Sequence, residues 1–187
     1  MGLFKSIDSG GVTMDLIVTG WIGLEATAML AKQQGAELRQ RFRPAFVRIA
    51  AQFEQCSKVE RETLEGHYLV DLTGQGILSA LWEVAEAVNK GLEIDLRKIP
   101  IRQETVEICE YFDINPYYVR SGGAFLIATE QGAALRSSLQ AQQILATKIG
   151  SLVEGKARII WNDGHKRYLD RPKQEELARF YEERGGE

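Results

Sequence analysis

Three short glycine-containing segments carry the residue types best suited to holding a ligand. In Gly20-Trp21-Ile22-Gly23 the chain passes from a branched, strand-like run into a helix-like one. Its N–H groups can meet an anion at the positive end of a helix dipole, or can simply form a strand-to-helix turn. The segment has neither the Lys-Ser/Thr ending of a P-loop nor the GxGxxG spacing of a dinucleotide fingerprint. Glu25, just inside the helix, suits the dipole and would repel a phosphate. The second segment, Asp71 to Gly76, follows another strand-like run, at the position where open sheets place ligand groups. Asp71 can bind a hydroxyl or amine there, or can accept from the loop N–H groups as a local cap. The third, Ser121-Gly122-Gly123, opens an apolar strand. The expected ligand-binding residues are therefore Gly20, Gly23, Asp71, Thr73, Gly76, Ser121, Gly122 and Gly123, their N–H groups converging on one anion while Asp71 or Thr73 selects a neighbouring hydroxyl.

Other chemistry is poorly supplied. Cys56 and Cys109 lie far apart, with no CxxC pair, and are expected to be small buried apolar groups on helices. His67 and His165 show no HxxxH or HExxH spacing, so no histidine metal site is expected, and no Ser-His-Asp order stands out. No residue is assigned a catalytic role. Trp21, Trp82 and Trp161 sit on different elements and read as ordinary packing groups. The 23 basic and 26 acidic residues sum to −3, which gives no electrostatic footprint for duplex nucleic acid. No apolar run approaches the roughly 18 residues of a membrane span, and the start lacks a secretory apolar core. A cytoplasmic protein bound to neither nucleic acid nor membrane is the expectation.

The 187 residues fit one domain, 1–187, and the elements that must position the three loops follow from periodicity. Residues 12–19, 67–72, 92–99, 124–129, 144–152, 158–161 and 167–169 read as strands. Helices are expected after Gly23 and ending at Gly35; from Pro44, burying Phe46, Ile49, Ala50 and Phe53; within the charged stretch 57–66; and after Gly76, burying Ile77, Leu81, Val84 and Val88. Others are expected over 102–112, 131–139 and 174–183. Strict alternation in Leu92, Ile94 and Leu96 predicts a strand with one wet face. AFLIAT, apolar throughout, predicts a central strand covered on both faces. Asn162-Asp163-Gly164 predicts a hairpin. Crossover helices combined with a terminal hairpin argue for an α+β domain: a two-layer α/β sandwich, its mixed β-sheet carrying helices mainly on one face.

Three blocks of the chain, GWIGLEATAMLAKQ, VDLTGQGILSALWEVAEAVNKGLEIDLRKIPIRQETVEICEYFDINPYYVRSGGAFLIAT and IGSLVEGKARIIWNDGHKRYLDRP, resemble the C-terminal domain of the aminoimidazole ribonucleotide (AIR) synthase superfamily, in particular its HypE-like hydrogenase maturation branch. The resemblance covers residues 13–181. It implies a two-domain ATP-using enzyme in which an N-terminal domain supplies metal-binding aspartates and a dimerising sheet. This chain is read as the C-terminal domain alone, with the N-terminal ATP- and metal-binding domain absent. The family's second glycine loop usually reads His-Asp-x-Thr-Glu-Gly-Gly; here Asp71, Thr73 and Gly76 persist, while Val70 and Gly74 stand at the histidine and acidic positions. The family's C-terminal cysteine has no counterpart in FYEERGGE.

The resulting expectation is a free-standing domain, inactive alone, that binds a small ligand or a partner chain and is linked to hydrogenase maturation. One alternative is half of a split ATP-dependent enzyme completed by a separate N-terminal chain. Another is a structural, self-associating protein. ATP and Mg²⁺ are expected only with a partner N-terminal domain, and a homo-oligomer, most simply a dimer, is expected because a surface normally covered by that domain would be exposed.

Overall fold

The computed structural model describes residues 13–53, 61–64 and 67–185. Val12 and Cys56 lie outside them, as does much of the stretch expected to be helical before Gly66. In chain order, β1 (Asp15–Thr19) leads through the first glycine loop to α1 (Leu24–Gln33), α2 (Gly35–Arg41) and α3 (Pro44–Ala51). A 3₁₀ turn (Arg61–Leu64) precedes β2 (Tyr68–Asp71), and α4 (Ile77–Ala87) follows the second glycine loop. Then come β3 (Gly91–Asp95), α5 (Gln103–Tyr111), β4 (Phe125–Thr129), α6 (Gly132–Ala141), β5 (Ala146–Val153), the hairpin of β6 (Arg158–Asn162) and β7 (His165–Tyr168), and α7 (Glu176–Gly185).

The strands form one mixed sheet in the order β2-β4-β1-β5-β3-β6-β7. Every neighbouring pair is antiparallel except β3 and β6. This is the α+β architecture that the element pattern implied. Alternation along the strands sorts the core into two sheet faces. Leu16, Val18, Leu126, Ala128, Leu92, Ile94, Leu152 and Ile160 join the buried face of α4, including Ile77, Leu81 and Val84, in the main core. On the opposite face Ile17, Phe125 and Ile127 pack with Leu135 and Leu139 of α6 and with Leu64. A bulge between β1 and β5 pairs Leu16 with Gly150 and Ile17 with Lys148, leaving Ile149 as the extra residue. Ile149 joins the main core with its side chain fully buried.

Helices α1, α2, α3, α5 and α7 build a separate cluster among themselves around Leu30, Leu38, Val47, Ile108, Phe112 and Phe180. A chain of aromatic rings from Phe42 through Tyr111 and Phe112 to Phe180 knits it together, with centroids 4.9 to 5.8 Å apart. The fully buried Thr27 and Thr105 join α1 to α5 through a 2.9 Å hydrogen bond between hydroxyls.

Local expectations are corrected at five places. The strand expected over 92–99 ends at Asp95, whose carboxylate accepts the Arg97 N–H and caps a 3₁₀ turn over Leu96–Lys98. Gly35 does not end the first helical stretch. Only Gln34 interrupts it, and Gly35 opens α2, because Leu38 one turn on enters the helical core. In α3 the buried residues are Val47 and Ala50, whereas Ile49 is 45% exposed, since the helix meets α1 with the neighbouring face. β4 is fully buried on both faces as expected but is second from the edge; β1, β5 and β3 are more central. Within the expected 57–66 helix, the described residues 61–64 form a 3₁₀ turn. The hairpin is as expected, with Asp163 and Gly164 both at positive φ (51° and 78°), as a two-residue primed turn requires.

Candidate functional site

The antiparallel order β2-β4-β1 explains why the three glycine loops meet. β1 and β2 end, and β4 begins, at the same edge of the sheet, with Asp71 opposite Phe125 and Val18 opposite Leu126. Loop 121–123 lies between the other two. The Ser121 N–H donates to the Leu72 carbonyl at 2.7 Å, and the Leu72 N–H to the Ala124 carbonyl at 3.2 Å. On the other side the Gly23 N–H donates to Ser121 Oγ at 2.8 Å, and the Phe125 N–H to Thr19 Oγ1 at 3.0 Å. Gly20, Gly23 and Gly123 take positive φ values of 67°, 73° and 85°, conformations that a Cβ would strain.

The same bonds show what the loops already hold. The Gly122 N–H donates to the Glu25 carboxylate at 2.9 Å, so the protein's own anion sits against the third loop. The N–H groups of Gly20 and Ile22 go to the carbonyls of Leu145 and Pro100. Asp71 is exposed, and one of its carboxylate oxygens accepts both the Thr73 N–H at 2.8 Å and the Thr73 hydroxyl at 2.6 Å, closing a turn over two residues. Of the two roles open to Asp71, the cap is the one seen. Gly76 has ordinary extended φ; its lack of a side chain serves close packing, because a Cβ there would lie 2.5 Å from the Tyr117 carbonyl oxygen. The fully buried Ser121 hydroxyl donates to the Val119 carbonyl at 3.2 Å, which makes it a brace between loops; no base takes its proton.

Sequence reasoning missed several residues that set this geometry. Thr19 is the acceptor linking β1 to the third loop, and Glu25, read from sequence only as a helix-dipole residue, is the one linking α1 to it. Arg120, beside that loop, gives its N–H to Glu175 at 2.8 Å and its guanidinium to the same carboxylate at 3.0 Å. Glu175 also accepts from the N–H groups of Leu177 and Ala178 at the start of α7, and an acidic residue just ahead of a helical run was a readable sign of that cap. Arg102 places its guanidinium 5.9 Å from the Trp21 ring and 4.9 Å from the Phe53 ring, bracing the exposed Trp21 of the first loop. Cys109 is fully buried in α5, and burial pushes its thiol up to about 12, so it is a packing group.

ATP with Mg²⁺, which the resemblance attaches to two-domain relatives, can be tested against these residues. Among the described residues no cluster of three or more His, Cys, Asp or Glu could hold a metal ion. Several loop N–H groups are donated internally, the Gly122 N–H to the Glu25 carboxylate among them.

A seven-stranded mixed sheet with α4 on one face, a separate helical cluster, and three glycine loops locked together at one edge define the class of domain. The chain belongs to the family described as AIR synthase related protein, C-terminal domain, whose model matches residues 14–162. The carbamoyl dehydratase HypE of Rhodobacter capsulatus is 32% identical over 87 residues, 46% of this chain and 25% of that protein. A putative hydrogenase expression/formation protein of Methanocaldococcus jannaschii is 29% identical over 121 residues, 65% of this chain and 35% of that protein. The crystal structure of Escherichia coli HypE, a hydrogenase maturation protein, superposes with a TM-score of 0.67 at 22% identity, covering 96% of this chain and 56% of that one. The chain thus spans about half of that solved structure or less of the curated relatives. No helix among the described residues is long and apolar enough to cross a membrane.

Proposed function

We propose that this chain is a HypE-like binding domain associated with hydrogenase maturation, inactive as an ATPase alone, whose three-loop edge receives a small ligand or a partner chain. The carrying observation is the convergence of Gly20–Gly23, Asp71–Gly76 and Ser121–Gly123 into one hydrogen-bonded edge whose acidic groups, Glu25 and Asp71, are already engaged. Such an edge offers shape and polar contacts but no described metal cage. Phosphoryl transfer needs a metal and positioned positive charge, which a separate N-terminal chain would supply. ATP and Mg²⁺ therefore belong to the completed assembly. The names of the similar proteins favour the hydrogenase setting. Self-association of the chain is part of the same reading.

The test is a titration of the isotope-labelled full chain with Mg²⁺-ATP and, separately, with inorganic phosphate, alongside a phosphate-release assay. The expected outcome is no turnover above a heat-killed control, with chemical-shift changes confined to the three loops and Glu25. Turnover that Asp71→Asn abolishes would refute the inactive-domain reading. Shifts located only away from the loops would refute the site.

A further inference from the structure

Residues 38–53 hold Arg39, Arg41, Arg43 and Arg48 and no acidic residue. Around α7 the arginines carry carboxylates: Arg120 pairs with Glu175, Arg179 with Glu176, and Arg184 with Glu37. The arginines at the elbow between α2 and α3 are all exposed, and their guanidinium groups make no ion pair or hydrogen bond with the described residues.

The backbone turns these side chains to one side. Phe42 is extended, with φ −112° and ψ 150°, and its ring packs inward on Phe46 and Tyr111 at 4.8 and 5.8 Å. Its neighbours Arg41 and Arg43 therefore leave the chain on the opposite, outer side. On α3, Val47 and Ala50 enter the same helical core, so Ala45, Arg48 and the exposed Ile49 face outward. Arg39 lies back along α2 over Gly35. Arg39 and Arg41 in the last turn of α2, and Arg48 in that of α3, suit the negative helix ends. Arg43 does the reverse. It is the N-cap of α3, where a cation opposes the dipole, and no acidic residue stands in the first turn. Positive charge is thus left without an internal counterpart at the middle of the elbow.

The surroundings limit what can supply that counterpart. Of the 23 basic residues, 19 lie outside the elbow, against all 26 acidic ones, so the remaining surface repels an extended polyanion. The elbow offers no open ring for base stacking, because Phe42 and Phe46 stack on each other half-buried. One exposed isoleucine is too little apolar surface to enter a bilayer. A short run of carboxylates with an apolar side chain among them fits. Guanidinium forks take carboxylates bidentately, and Ile49 takes the apolar group.

We propose that the α2–α3 elbow is a docking surface for an acidic segment of a partner protein, held by Arg41, Arg43 and Arg48 together with Ile49. None of the three-loop residues takes part, so this surface is additional to the function proposed above.

The experiment follows the fluorescence anisotropy of a labelled peptide of Glu-Glu-Leu repeats titrated with the full chain. The comparison probes are the same peptide with glutamine in place of glutamate, and a labelled oligouridylate. The glutamate peptide is expected to bind the wild-type chain with a Kd on the order of 10–100 μM at low salt, weakening about tenfold in roughly 0.3 M salt. The double variant Arg41→Glu/Arg43→Glu should weaken binding about tenfold or more, and Arg48→Glu about threefold. Arg136→Glu/Arg171→Glu makes the same change of net charge at exposed positions outside the elbow and should stay within about twofold of wild type. Near-UV circular dichroism is the fold control, and Arg41→Gln/Arg43→Gln replaces the double variant if charge reversal disturbs the fold. No saturable binding below about 1 mM, equal binding of the glutamine peptide, or equal loss in the elbow and control variants overturns the proposal. Tighter binding of the oligouridylate overturns the assignment of a protein partner.

Discussion

Replacing Ser121 by Ala removes one oxygen from the centre of the three-loop edge. That oxygen accepts the Gly23 N–H at 2.8 Å and donates to the Val119 carbonyl at 3.2 Å, with Gly23, Val119 and Ser121 all buried. The vacated space is the size of a hydroxyl, too small for a water molecule to substitute. The Gly23 N–H is then buried without an acceptor, which costs about 1–3 kcal/mol, and the longer bond to Val119 contributes roughly 0.5 kcal/mol more. A total near 2–3 kcal/mol corresponds to a drop in Tm of about 5–10 °C for a chain of this size. Urea unfolding at constant m-value measures the loss, and amide exchange at Gly23 locates it. Thr73→Ala is the control, because its bonds to Asp71 are exposed and local, and it should cost well under about 1 kcal/mol. A Ser121→Ala loss below about 0.5 kcal/mol, with Gly23 exchange unchanged, would show that the loops are not held together through this hydroxyl.

Two glycines of the second loop should separate cleanly. Gly76→Ala drives a Cβ against the Tyr117 and Tyr118 backbone and should cost about 3 kcal/mol or more, while Gly74→Ala, with open space around it, should change the unfolding free energy measured in urea by less than about 0.5 kcal/mol. Alkaline pH should unfold the protein by way of Cys109. Below the unfolded thiol's pKa of about 8.5 both states keep the proton; above it only the unfolded chain loses the proton until the folded value near 12, so stability falls as pH rises, by up to about 1.4 kcal/mol per pH unit. Tyr68, Tyr117, Tyr118 and Tyr181, all raised by burial, add to that loss at higher pH. Urea midpoints measured between about pH 8 and pH 10 should decline, and Cys109→Val should flatten the decline; a wild-type midpoint constant over that range would contradict the burial argument.

Much of the domain was legible one segment at a time. Branched alternation marked β3, the continuous apolar run marked β4 as covered on both faces, and Asp163-Gly164 marked the hairpin, because each is set by the side-chain period of a strand or by a φ that few residues tolerate. The stripe of Ile77, Leu81 and Val84 placed α4 for the same local reason. The family could be read from the order of the blocks, and the three glycine loops could be located because glycine marks the turns at strand ends. Orientation was less legible. Ile49 and Val47 are equally apolar neighbours, and only the direction from which α1 packs decides which of them is buried.

What the loops do with their hydrogen bonds was decided by tertiary structure alone. Glu25 lies 97 residues from Gly122, and Ser121 lies 98 from Gly23. No local rule connects such pairs; they meet because β4 runs back between β1 and β2 and brings two strand ends and one strand start to a common edge. The side-chain rows shared by β3, β6 and β7 have the same origin. Asp95, Trp161 and Lys166 are unremarkable in sequence and become one surface only through the parallel pairing of β3 with β6. Periodicity and turn chemistry act over a few residues, and so they specified the elements; the pairing partners of each strand depend on the whole chain folding at once, and so they determined the site.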